Sequence, residues 1–134
     1  MIVVDSNVIA YCWINGLLTA TAQAVRIKDP DWHAPILWRS ELRSILTGYL
    51  RAESLSRSQV VRIMKAVEAA LEGGEHLVRS DAVFAVVEQT RLSAYDCEFV
   101  ALARQLSAPL VTADRTILRE CRDVARSMNE FLLR

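Results

Sequence analysis

Ile2-Val3-Val4-Asp5-Ser6-Asn7 decides the fold class. Three β-branched residues in a row predict a short, buried strand. The run stops at a carboxylate, and Val8 to Ile14 then reads as a helix with Asp5 or Ser6 as its cap. A wholly apolar strand that passes straight into a capped helix is one step of a parallel sheet. Pro109-Leu110-Val111-Thr112 repeats the pattern late in the chain, with Asp114 opening a short helix that ends near Cys121.

The segments between these two units fill in the same scheme. Leu17 to Lys28 predicts a helix that stops before Asp29-Pro30, and Trp32-His33-Ala34 a second strand, cut by Pro35. Ile36 to Ala52 and Ser56 to Leu71 read as longer helices; Val60, Met64, Val67 and Leu71 share one face of the second. Gly73-Gly74 breaks the chain before a short strand at His76-Leu77-Val78. Ser80 caps a helix to about Thr90, and Ser93 opens another that reaches Leu106. Val124 and Ala125 form an edge strand before a last helix at Ser127 to Leu133. The expectation is a single α/β domain over 1–134, three layers in α/β/α order around a short, mainly parallel sheet. Such sheets bind ligands beyond the carboxyl ends of their strands.

Composition narrows the function. In 134 residues, 52% hydrophobic and 24% charged side chains exclude a disordered tail or a fibre. Sixteen cations balance sixteen anions, whereas a nucleic-acid binder usually carries a basic excess. Yet 14 of the cations are Arg, whose planar fork pairs bidentately with phosphate. A zero balance is also what two opposite patches produce. Met1-Ile2-Val3-Val4-Asp5 has no basic lead, and no long apolar run follows, so a cytoplasmic protein without signal peptide or membrane segment is expected. Cys12, Cys97 and Cys121 are an odd set without a C-x-x-C pair, which predicts buried, reduced thiols. His33 and His76 stand too far apart in sequence to suggest a metal pair.

Two carboxylates occupy positions where helical patterning predicts apolar residues. At 100° per residue, Leu37, Ile45, Trp38, Tyr49, Leu42 and Leu46 fill one arc of the Ile36–Ala52 helix, and Glu41 falls inside it. In the helix from Ser93, the arc holds Leu102, Tyr95, Leu106, Phe99, Ala103 and Val100, and Asp96 falls inside that one. Glu98 points elsewhere and reads as ordinary surface. Each misfit acid is either at the wet edge of its arc, paired with an Arg, or part of a site, because a lone buried carboxylate is costly. Asp5 and Asp114 both follow strands; each is a good helix cap, and each also stands where an open α/β sheet places functional groups. Two carboxylates brought to ~5 Å repel by about 3 kcal/mol at an effective dielectric near 20. A divalent cation relieves that repulsion, and an oxygen-only donor set suits Mg2+ or Mn2+. The chemistry that follows is phosphodiester hydrolysis.

Taken together, the blocks around these acids resemble the PIN-domain nucleases, in particular the VapC-like toxins of bacterial toxin–antitoxin pairs. Val3-Val4-Asp5-Ser6-Asn7 is similar to the opening strand and first acid of that family. His33-Ala34-Pro35-Ile36-Leu37-Trp38-Arg39-Ser40-Glu41-Leu42 resembles the block of the second. Leu92 to Ala103 resembles the third block and Ala108-Pro109-Leu110-Val111-Thr112-Ala113-Asp114-Arg115 the fourth. The resemblance implies a PIN-like fold and a Mg2+- or Mn2+-dependent endoribonuclease, hydrolysing RNA by in-line attack of an activated water. It implies Asp5 and Asp96 as central metal ligands, Glu41 as a ligand or water-orienting group, and Asp114 as the residue completing the acidic cup. Asn7 and Thr112 would hydrogen-bond those ligands, or serve only as turn and strand-end residues. Many relatives carry another acid two residues after the fourth, where this chain has Thr116; one firmly held metal, with a second arriving with RNA, is therefore expected. A cognate antitoxin and a homodimer are the implied protein partners.

The basic residues supply the counterpart. Arg115, Arg119, Arg122 and Arg126 recur near the fourth acid, and Arg39 and Arg43 flank Glu41. Phosphate positioning is one reading and a solvated ion-paired face the other; Arg115, beside Asp114, is the foremost RNA-binding candidate. Trp13, Trp32 and Trp38 can stack bases or pack in the core, and core packing suits Trp38. Met64, Val67 and Leu71 either line a groove for a partner helix or pack inward. The alternative function is a catalytically silent PIN-like module that binds RNA or protein. A phosphatase ranks lower, because Asn7 stands where a phospho-aspartate enzyme would often need a second Asp. Setting the four acids aside as one neutralised cup leaves sixteen cations against twelve anions, a surplus of +4. One negative cup ringed by Arg is the spatial expectation.

Overall fold

The computed structural model describes residues 1–134. In chain order the elements are β1 (Ile2–Val4), α1 (Ser6–Trp13), α2 (Thr19–Lys28), β2 (Trp32–Pro35), α3 (Trp38–Arg51), α4 (Arg57–Ala70) and β3 (Glu75–His76). They continue with α5 (Ser80–Gln89), α6 (Ala94–Leu106), β4 (Leu110–Val111), α7 (Arg115–Glu120), β5 (Ala125–Arg126) and α8 (Met128–Leu132). The five strands form one sheet in the order β3-β2-β1-β4-β5, and every pairing is parallel. Helix α6 lies across β1, β2 and β4 with α5 outside it, while α1 to α4 and α8 pack on one another. The result is a three-layer α/β/α fold around a parallel sheet, as the strand–helix alternation predicts.

The central strand is fully buried, with Val3 and Val4 at 0% exposure. Around it Trp38, Leu42, Phe99, Leu102 and Leu110 are sealed from solvent, which assigns Trp38 to the core. Val67 and Leu71 of the α4 face also pack inward. Tyr95 and Tyr49 do not join the arcs drawn for them; they are 62% and 40% exposed. All three cysteines are buried and free.

Three strand boundaries differ from the sequence reading. The ladder runs on through Pro35, because Ala34 and Ile36 donate to Gly74 O and His76 O at 2.9 Å each. The position between them faces away from β3, so the missing N–H of proline costs that pairing nothing. β3 forms at Glu75–His76 rather than His76–Val78. Its approach is set by Gly74, where a Cβ would stand 2.2 Å from Trp32 O, and by Gly73 at φ +79°. The last strand is likewise shifted by one residue, to Ala125–Arg126, and Arg79 rather than Ser80 caps α5. No helix is long and apolar enough to cross a membrane.

Candidate active site

The strand order reverses between β1 and β4, so the crevice beyond their carboxyl ends is the topological switch point of the sheet. Asp5 follows β1 there and caps α1, its Oδ1 accepting from Ser6 N at 2.7 Å. Thr112 follows β4, fully buried, and its hydroxyl donates to Asp5 Oδ2 at 2.7 Å. The same Thr112 oxygen accepts the backbone N–H of Asp114 at 3.0 Å. Thr112 therefore ties the two strand ends together through one hydroxyl. Asp114 caps α7, with Oδ1 accepting from Thr116 N at 2.8 Å and Ile117 N at 3.0 Å. Its Oδ2 is left without a partner.

Two helices bring in the remaining acids. Glu41, in the first turn of α3, accepts from Ser6 Oγ at 2.7 Å through Oε1. Asp96 lies in the first turn of α6, which Ser93 caps. Burial pushes Asp5 up to about 6 against the pull of the Thr112 and Ser6 hydrogen bonds, and Asp96 and Glu41 push it further. Glu41 is raised by burial and then by Asp96, with the Ser6 hydroxyl opposing. Asp96 is raised by burial and then by Asp114. Asp5 thus feels Asp96 and Glu41, Glu41 feels Asp96, and Asp96 feels Asp114.

The sequence reading missed two members of this cluster. Glu98, read as plain surface, is half-buried and raised by burial and by Glu41. Its place two residues after Asp96 was the available signal. Ser6 was read only as a cap, yet its hydroxyl orients Glu41. Asn7 sits on the exposed side of α1, lining a cleft with Tyr11 and Tyr49, and hydrogen-bonds none of the acids. No cation enters the cluster. Arg39 is bound to Glu75 and Glu68 instead, and Arg115 points into a separate cavity with Arg119, Arg122 and Arg126.

The family model of the PIN domain matches the chain over residues 2–122. The chain belongs to the PIN domain family. The matched span takes in Asp5, Glu41, Asp96 and Asp114, and leaves only β5 and α8 outside. No curated protein matches the sequence. PIN domains are nucleases that bind RNA and generally use divalent metal ions. The donor set of this PIN domain fits such an ion: carboxylate oxygens only, no His or Cys, and no internal cation to neutralise them. No three acidic side chains stand close enough to form a ready-made cage.

Proposed function

We propose that this PIN domain is a Mg2+- or Mn2+-dependent endoribonuclease acting as the toxin of a toxin–antitoxin pair, as the VapC-like proteins it resembles do. The observation that carries the catalytic half is the set of mutually repelling acids at the switch point, with no cation among them. Asp5 and Asp96 would hold the metal, with Asp114 completing the cup through its free Oδ2. Bound there, the ion supplies charge neutralisation, a lowered water pKa and stabilisation of the phosphoryl charge. Thr112 and the Ser6 amide pin both oxygens of Asp5, so the carboxylate cannot rotate out of the crevice. Ser6 fixes one oxygen of Glu41, and the other is free to orient the attacking water and take its proton. The water adds to phosphorus in line as the opposite P–O bond breaks. Arg115, next in the chain to Asp114, holds a phosphate of the RNA.

The toxin half rests on the face between α3 and α4. Leu46, Leu50, Val60, Val61 and Met64 line a groove of about 300 Å³ there, with Val61 42% exposed. An amphipathic antitoxin helix fits such a groove; a second copy of the chain is the other occupant this reading carries. One observation favours a silent RNA- or protein-binding module: the lack of a ready-made three-acid cage. Total RNA incubated with Mg2+ and with EDTA decides between them. Cleavage that needs Mg2+ and disappears in Asp96→Asn supports the nuclease, and binding without cleavage supports the silent module. Growth arrest on expression, relieved by the product of a small adjacent gene, tests the toxin role.

A further inference from the structure

The acids of the switch point have a cationic neighbour, of which the catalytic reading uses Arg115 alone. Helix α7 and strand β5 border an open, polar cavity of about 490 Å³, within the size range of ligand pockets. Arg115, Arg119, Arg122 and Arg126 line it, and Glu130 is the one acid on its wall. None of the four guanidiniums is in an ion pair. Nearby acids are engaged elsewhere: Asp123 binds Arg104 at 2.9 Å, and Glu120 accepts from Arg91 N at 3.2 Å. Arg126 is held in place by its own backbone surroundings, Nη1 donating to Arg122 O at 2.8 Å and Ala125 O at 2.7 Å. Its Nε and Nη2 remain free to donate. Four like charges that share only Glu130 as an opposing group repel one another, so the arrangement favours an anion with several charges.

We propose that this arginine cup is a second anion site, which grips backbone phosphates of single-stranded RNA beyond the scissile bond. The proposal rests on the ribonuclease reading. Its geometric basis is the Asp114–Arg115 peptide: one residue faces the acids, the next faces the cup. A strand leaving the acidic crevice passes directly into the cup, and each phosphate there meets a planar fork. An acidic protein segment is the rival occupant. A flexible polyanion with regularly spaced charges suits four separated guanidiniums better than carboxylates on short side chains do.

The test is a salt titration of a fluorescein-labelled, single-stranded RNA with the wild-type chain in EDTA, followed by polarisation. Arg119→Gln/Arg122→Gln is the variant, because neither side chain makes a hydrogen bond in the fold. Each lost phosphate contact lowers the slope of log affinity against log salt by about 0.7 for single strands. The double variant should therefore lose a slope of about 1.4, which is about a sevenfold smaller loss of affinity between 50 and 200 mM salt. Arg119→Lys/Arg122→Lys should keep most of the slope. An unchanged slope in the Gln variant overturns the cup, as does tighter binding of poly-glutamate than of RNA. If no RNA is cleaved with Mg2+ while the slope still falls, the nuclease reading fails and the cup stands. If RNA is cleaved and the slope is unchanged, the cup fails alone.

Discussion

Arg39 and Glu41 are two residues apart on α3, yet the acids around them are handled in opposite ways. Glu75 meets Arg39 bidentately, at 2.9 and 2.6 Å, Glu68 takes the other guanidinium nitrogen, and the guanidinium lies 5.2 Å from the centre of the Trp38 ring. Around Glu41 the neighbours are Asp96 and Glu98, and Ser6 is its hydrogen-bond donor. The first cluster is electrically complete as folded. The second gathers charge that the chain leaves unbalanced, which on the proposed reading a divalent cation offsets. Acids that are paired report on stability, and acids kept unpaired at a switch point report on chemistry.

Removing a ligand from the unpaired cluster should have the largest effect. Asp96→Asn should lower RNA cleavage by about two to three orders of magnitude, the worth of several kcal/mol of charge stabilisation. EDTA should do the same to the wild type, measured by cleavage mapping on total RNA. An Asp96→Asn chain that cleaves normally would erase the contrast between the two clusters.

The sign of the stability change separates them next. Asp5 is 6% exposed and raised from 3.8 to about 6, so its ionised form is disfavoured in the folded protein. A raised folded pKa contributes stability that is fully present below about pH 4 and is lost as pH rises through about 6. At one pKa unit per 1.36 kcal/mol, the metal-free protein should lose about 3 kcal/mol from this group by neutral pH. Asp5→Asn should recover about 1–2 kcal/mol at pH 7.5, because the amide oxygen can accept from only one side while Thr112 and Ser6 both donate. Its activity should vanish together with the stabilisation that Mg2+ gives the wild type. Thermal melts with and without Mg2+ at pH 4.5 and 7.5 read all three. A destabilised Asp5→Asn would show that Asp5 is held for the fold alone.

What the sequence shows of all this depends on whether the signal is local. β1 and β4 are legible because an apolar run ending at an acid is a contiguous pattern. Glu41 and Asp96 stand out because each interrupts an arc of its own helix. Glu98 does not, since its link to Glu41 joins two different helices far apart in sequence, and Tyr95 is placed inward by a wheel that cannot see where the sheet ends. Ser6 looks like a cap because its second role lies 35 residues away at Glu41. β3 starts earlier than its apolar residues suggest, because backbone pairing with Ala34–Pro35 outweighs side-chain character in a two-residue edge strand.

Arg39→Ala should move stability the other way from Asp5→Asn. It leaves Glu68 and Glu75 unpaired and strips a stacked guanidinium from Trp38. Since Glu68 is 37% exposed and Glu75 20%, the loss should be about 1–2 kcal/mol. Urea denaturation should show it, with kcat for RNA cleavage little changed. A large fall in kcat at unchanged stability would move Arg39 into the catalytic cluster.

The smallest effect comes from the far edge of the sheet, where imidazoles balance one another. His33 and His76, isolated in sequence, meet across β2 and β3 with His33 Nδ1 2.8 Å from His76 Nε2. Nothing local in the sequence joins them. His33 Nε2 lies 2.9 Å from Asp31 Oδ1, and a carboxylate only accepts, so that nitrogen carries the proton. A neutral His33 then accepts at Nδ1 from His76 Nε2–H. A proton added to His76 has to stay beside His33, and His76 is accordingly lowered, by burial first and by His33 second. A lowered folded pKa gives stability that is present above about pH 6.5 and lost as pH falls through the folded value. This limb runs opposite to that of Asp5. His76→Gln keeps a donor toward His33 and removes the titration, so it should flatten the acid side of the stability profile and leave the Asp5 limb untouched. If the acid limb persists in His76→Gln, protonation of this pair is not what weakens the fold there, and the site acids are not the only groups whose charge state sets its stability.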